Sequence, residues 1–159
     1  MSGNSYPSVE NDFLIGHAVL IMGSYYNLLR KPILSGGFDE NRMAYELFHA
    51  PFAVVSHGTE SDPVFNYANL TALELFECDW DELTALPSRL SAEPVNRAER
   101  GRLLAEVTAK GFIDHYEGIR ISKNGRRFRI KNAVVWNLLD SRNIYRGQAA
   151  CFNEWTFLN

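Results

Sequence analysis

The carboxylate of Glu117 and the amide of Asn132 are the residue pair with the clearest chance of doing chemistry. They flank a hairpin pattern, "YEGIRIS–KNGR–RFRIKNAVVW", in which apolar residues recur with period two. Asn124-Gly125 suits a two-residue type I′ turn. That turn pairs Lys123 with Arg126, Ile121 with Phe128, Ile119 with Ile130, and Glu117 with Asn132. Ile119, Ile121, Phe128, Ile130, Val134 and Trp136 then share one apolar inner face, interrupted by Glu117 and Asn132. A polar pair in such a wall must be bonded or wet, because an unpaired buried polar group costs about 1–3 kcal/mol. One reading is a notch that orients a small molecule, built from Glu117, Asn132, Ile119, Ile130 and Trp136, with Ser88, Arg89 and Tyr67 around it. The other is a satisfied local bond to Ser88, Arg89 or Ser91. Arg89 could pair with Glu117 or Glu93, meet an anionic ligand through its planar fork, or simply lie on the surface. Glu117 could also serve as a general base in a small enzyme, a less favoured alternative.

The same register puts Arg120, Arg127, Arg129 and Lys131 on the opposite face, with Arg120 facing Arg129. Like charges so placed ask for cover: solvent, a docked helix or an acidic protein partner. Nucleic acid is disfavoured, since the net charge is −3 and no stacking aromatics alternate with these cations. His17, His49, His57 and His115 have no metal-ligand spacing, and Cys78 and Cys151 give no disulfide framework and fit a reducing compartment. The order "MSGNSYPSVENDF" lacks a signal-peptide pattern, and no run approaches the ~20 apolar residues of a membrane span. A soluble cytoplasmic domain is expected from these features, with 46% hydrophobic and 22% charged residues.

Several elements must hold these residues. Residues 1–10 read as a loose tail. Asn11 or Asp12 can cap a helix over 12–30, with Leu14, Ala18, Ile21, Tyr25 and Leu28 on one face. "LSGGFDEN" reads as a loop, and Asp39 caps a second helix ended by Pro51. "FAVVSHG" and "VFNYA" are strand-like, and Asn69 suits the N-cap of a short helix over 70–77. Thr71 with Glu74 has capping-box spacing, and "DWDE" repeats that logic. A longer helix opens at Asn96 and carries Arg100, Leu103, Leu104 and Val107 at helical spacing before Gly111. Three strands follow, the last running through "GQAACFNEWTFL". Strand pairs separated by a helical block predict an α+β fold with an antiparallel sheet.

That order, with "PVFNYAN", "GFIDHYEGIRISKNGRRF", "AVVWNLLD" and "CFNEWTF", resembles a PAS domain and, more narrowly, the MEKHLA domain over 17–158. This is the PAS-like module of plant class III homeodomain-leucine-zipper factors and of stand-alone bacterial proteins. The resemblance implies a five-stranded antiparallel sheet with helices on one face, plus an N-terminal helical extension: 1–50 packing on a core of 51–159. It implies a sensory or regulatory module that binds a small molecule in a cavity, dimerises, or both. A packed interaction scaffold is the alternative. The cofactor stays unknown. "LPSRLSAEP" lacks the cysteine of light-sensing flavin PAS domains, and 97–110 lacks the histidine common in haem-binding ones. The apolar helix 12–30 is the expected homodimer element, and Arg120, Arg127, Arg129 and Lys131 the expected protein-docking face. No nucleic-acid or membrane partner is expected.

Overall fold

The computed structural model describes residues 5–36 and 39–159. Residues 1–4 of the expected tail, and 37 and 38 of the expected loop, lie outside these. Helices α1 (Ile15–Leu29) and α2 (Glu40–Phe48) precede strands β1 (Ala53–His57) and β2 (Phe65–Ala68). Helices α3 (Leu70–Phe76), α4 (Trp80–Leu83) and α5 (Pro94–Lys110) follow, then β3 (Phe112–Ile121), β4 (Arg127–Leu139), β5 (Tyr145–Phe152) and β6 (Glu154–Phe157). The sheet is antiparallel with order β2-β1-β5-β4-β3, and β6 also pairs with β4. The expected single last strand is thus two. β5 pairs with residues 134–139 of β4 and β6 with residues 128–131. The chain departs from the ladder at Asn153 and at Asn132, whose φ is 54°.

Capping residues do what their chemistry suggests. The Asp39 carboxylate accepts from the Arg42 amide at 2.9 Å, and Asp79 and Glu82 form a reciprocal capping box. Asn69 is fully buried and does more than cap. Its Oδ1 accepts from Ala72 N at 3.1 Å and Val54 N at 3.0 Å, while its Nδ2 donates to the carbonyls of Leu47 and Phe52. One amide therefore locks α2, β1 and α3 together, because a buried polar group is stable only when its donors and acceptors are used. Thr71 closes no box with Glu74; its hydroxyl donates to the Ala50 carbonyl.

The hairpin register differs from the expectation by one residue. Gly125, at φ 88°, closes a loop of Lys123, Asn124 and Gly125: its N–H donates to Ser122 O, and Ser122 N–H donates to Arg126 O. Such a loop, a turn closed by a left-handed glycine, is one residue longer than the type I′ turn. It is tied to α3, since Lys123 N–H reaches Phe76 O at 2.9 Å and the Ser122 hydroxyl reaches Glu77 Oε1 at 2.6 Å. Arg120 is consequently paired with Phe128, Ile119 with Arg129 and Gly118 with Ile130. A slip of one residue turns every side chain of a strand to the other face. Arg120 moves inside, and Glu117 and Ile119 move out.

The two faces of the sheet are covered by different helices. On the outer face α1 lies over β4, burying Ala18 and Ile21 completely. The Trp136 indole donates to Ile21 O at 3.2 Å, and Ser24 bonds both the carbonyl and the amide of Leu139. The expected helix 12–30 begins only at Ile15, because Asp12, Phe13 and Leu14 all have positive φ. Its apolar face lies within the protomer, which removes the reason for assigning it to a homodimer. The inner face is covered by α3, α5 and a 3-10 turn, Ser88–Ser91.

Candidate ligand site on the inner face

A bulge begins the site. β1 pairs Ser56 with Tyr67 but His57 with Phe65, leaving Asn66 unmatched on β2. Tyr67 therefore faces α1, stacking on His17 at 5.6 Å, whereas His57 and Phe65 turn inward. Across the sheet His57 is paired with Gln148, and Gln148 with Asn137. Gln148 Nε2 approaches Leu104 O, Thr108 Oγ1 and Asn137 Oδ1, and Asn137 Nδ2 donates to Val107 O. These bonds fasten α5 against the sheet and fix its rotation, so that Arg100, Leu103 and Val107 are the buried stripe.

Between α5 and the sheet lies a cavity of about 60 Å³. Phe65, Phe76, Leu103, Ile130, Val135 and Phe152 supply apolar walls, and His57, Arg100, Tyr116, Arg120 and Gln148 add polar groups to the lining. His57, Arg100 and Arg120 are only 7%, 8% and 7% exposed. The Arg120 guanidinium donates to Ile119 O at 2.8 Å and to the Tyr116 hydroxyl at 3.2 Å. That hydroxyl in turn donates to Glu99 at 2.9 Å. Gly118 leaves room for the ring, since a Cβ there would lie 2.2 Å from the Tyr116 oxygen. Among the described residues, neither Arg100 nor Arg120 has a carboxylate within ion-pair distance, and the Arg100 guanidinium makes no hydrogen bond. Burial first, and then the charge of Arg120, lower the Arg100 pKa to about 10.

The tautomer of His57 follows from its partner. Nδ1 lies 3.1 Å from the carbonyl of Gly58, which can only accept, so Nδ1 carries the proton. Nε2 is then a bare lone pair, buried and without a hydrogen bond. Gln148 is close enough to bear on its charge but closes no bond to it. Burial lowers the His57 pKa, the carbonyl of Gly58 opposing, and keeps the ring neutral at pH 7.

Of the residues expected to form a site, Ile130 lines this cavity and the others lie elsewhere. Trp136 is buried on the outer face beneath α1, and Tyr67 lies under the same helix. Ser88 is buried, its carbonyl accepting from the Ser91 hydroxyl, and Arg89 is exposed and pairs with Asp62 at 3.1 Å. Ile119 sits half-buried opposite Arg129. Glu117 and Asn132 are both exposed and not opposite one another, because of the register slip and the bulges at His115 and Asn132. Glu117 meets Arg129 at 3.5 Å, and the Asn132 amide donates to Glu154 at 2.7 Å. The notch is absent, and the enzymatic alternative loses its pocket carboxylate.

The expected basic face is likewise dismantled. Arg120 is internal, Arg129 pairs with Glu117, Arg127 pairs with Glu93 at 2.8 Å, and Lys131 faces Glu154 across β4 and β6. The residues that replace the notch carried uneven signals. Arg100 stands in the apolar stripe of a helix, which marks it directly. Arg120 needed the correct register, and nothing in the sequence sets His57 apart from the other histidines. Among the described residues no group of three or more histidines, cysteines or carboxylates could hold a metal, and no helix is long and apolar enough to cross a membrane.

Comparison with known proteins places this geometry. The MEKHLA domain model matches residues 15–157. Homeobox-leucine zipper protein HOX10 of Oryza sativa subsp. indica is 26% identical over 137 residues, 85% of this chain and 16% of that protein. Homeobox-leucine zipper protein ATHB-15 of Arabidopsis thaliana is 23% identical over 139 residues, 87% of this chain and 17% of its own length. The chain thus spans about a sixth of these curated relatives. Among solved structures, the PAS domain of a Colwellia psychrerythraea protein superposes with TM-score 0.61 at 12% identity, covering 74% of this chain and 94% of that one. The light-state dimer of the fungal blue-light photoreceptor Vivid gives 0.58 at 16%, covering 84% and 93%. A light-oxygen-voltage domain studied with a flavin analogue gives 0.58 at 14%, covering 74% and 85%. The cavity here does not fit a flavin: at about 60 Å³ it is well below the roughly 300–1,000 Å³ of pockets for drug-sized ligands, and neither cysteine lines it. The antiparallel sheet, the helices α3 and α5 over its inner face and the family match over 15–157 together show that the chain belongs to the MEKHLA domain family, with a PAS-like fold.

Proposed function

We propose that this chain is a sensory or regulatory module that reports the occupancy of the inner-face cavity by a small molecule. The observation that carries the reading is the set of polar groups in that lining: a bare His57 Nε2 and, among the described residues, two guanidiniums with no carboxylate at ion-pair distance. A packed scaffold gains nothing from such groups, since each costs desolvation that internal bonds do not return. Strands β4 and β5 give the signal a route. Val135 and Gln148 line the cavity, while Trp136, next to Val135, and Leu139, further along β4, hold α1 on the other side. A ligand that shifts β4 would alter the seat of α1, where a downstream partner would read it.

Native mass spectrometry of protein purified without refolding tests the reading. A discrete non-covalent mass, lost when Ala150→Phe fills the cavity, is expected. A clean apo mass together with a gain of stability in Ala150→Phe would leave a packed interaction module instead. Pairing of two copies through 12–30 would have to use the side of α1 away from the sheet, where Tyr26 is exposed. Light scattering is expected to give a monomer; a dimer broken by Tyr26→Asp would restore the pairing.

A further inference from the structure

Resting on that ligand reading, we propose that the cavity takes a short-chain carboxylic acid, its carboxyl group held by Arg100 and His57 and its hydrocarbon tail lying on the apolar walls. The argument is one of charge, proton and shape. Two guanidiniums share a buried pocket; the carboxylate acting on Arg100, Glu99, is already bound to the Tyr116 hydroxyl, and Glu60, which acts on His57, is exposed to solvent. The excess positive charge lies where the effective dielectric constant is low, so an incoming anion gains more there than at the surface. Arg120 is held by its bonds to Ile119 O and Tyr116, while the planar fork of Arg100, without a hydrogen bond among the described residues, is available for a bidentate contact.

The proton requirement narrows the class. His57 presents an unprotonated Nε2, which repels a bare anion but accepts from an acid O–H. A carboxyl group meets both demands, with one proton shared between its oxygen and Nε2 while guanidinium donors bind its oxygens. No bond is made or broken except that of the transferred proton, which comes from solvent when the free acid is ionised. Inorganic phosphate would use the arginines but not Phe65, Phe76, Leu103 or Val135, and a neutral amide would use those walls but not the charge. The cavity of about 60 Å³ limits the tail to a few carbons.

Thermal shift and calorimetry on the full chain decide it, with butyrate, butyramide and inorganic phosphate as probes at millimolar concentration. Butyrate should bind and raise the melting temperature, while butyramide and phosphate leave it unchanged. Arg100→Met should weaken butyrate by roughly tenfold to a hundredfold, the range lost with one charge-assisted bond. The charged and titratable groups facing His57 are Arg100, Arg120, Tyr116, Glu99 and Glu60, and the complex with butyrate carries one proton more than its separated partners. Butyrate affinity should therefore fall as pH rises from 6 to 8, with the slope lost in His57→Gln. Equal binding of butyramide and butyrate would overturn the acid assignment while leaving the cavity a ligand site. Binding of phosphate alone would make it an inorganic anion site. No shift with butyrate would sink the proposal outright. The comparison among probes uses the natural chain, so it stands even if a variant fails to fold.

Discussion

The two faces of one sheet have been filled by opposite rules. Outside, α1 is fitted to β4 by directed bonds: the Trp136 indole to Ile21 O, Ser24 to both polar groups of Leu139, and His17 to the Ser56 hydroxyl at 2.8 Å. That hydroxyl donates onward to Asn66, so His17 Nε2 must be the donor to it. The Tyr67 hydroxyl is the outer face's orphan. Inside, a partly open space remains, and what borders it includes two cations and a lone pair. The outer arrangement is what stability alone selects. The inner one carries a desolvation cost that stability alone would have removed by a change to apolar residues.

If that contrast is right, damage to the outer face should be costly. Trp136→Ala should lose about 3–5 kcal/mol in chemical denaturation, from lost burial and the orphaned Ile21 carbonyl. A loss below ~1 kcal/mol would break the contrast. Acid should act next. Burial lowers the His17 pKa to about 4 from 6.5, and that of His57 in the same direction. The unfolded chain therefore binds protons that the folded chain refuses, and stability falls as pH drops from about 6.5 towards 4. It is fully present above that window. For His17 the loss is about 3 kcal/mol at most, and His17→Gln should flatten the slope. A flat melting temperature across the window would contradict it.

Gly118→Ala should push the Tyr116 ring out of its place. It is expected to cost about 1–2 kcal/mol and to uncouple Arg120 from Glu99, which a shift of the Tyr116 ring resonances would report. The smallest effects belong to the exposed positions. Glu117→Gln and Asn132→Gly, the latter chosen because Asn132 has a positive φ, should each change stability by no more than ~0.5 kcal/mol and leave ligand retention intact, because their partners are solvent-facing. A loss of ligand in either would return the site to the hairpin's outer face.

The sequence made the α+β order, the caps at Asp39, Asn69 and Asp79, and the PAS-like resemblance legible, since these depend on local chemistry. The candidate site was not, because it turned on one residue of loop length. "KNG" can close as a two-residue or a three-residue loop, and the choice is made by bonds from Ser122 and Lys123 to the end of α3. Those partners lie some 45 residues away in the chain, and hairpin propensities do not register them. With the register one off, Glu117 looked internal and Arg120 external, the reverse of their positions. Arg100 was readable, since an arginine at the head of an apolar helical stripe is out of place unless something meets it.

The most direct measurement is the unfolding free energy of ligand-free Arg100→Met against the natural chain. The account holds that Arg100 serves a ligand and not the fold. It predicts equal or greater stability for the variant, within about 1 kcal/mol or better, as when buried charges give way to apolar groups. A loss of about 3–5 kcal/mol, the cost of breaking a buried ion pair, would show that Arg100 is holding the core together and that the inner face is as closed as the outer.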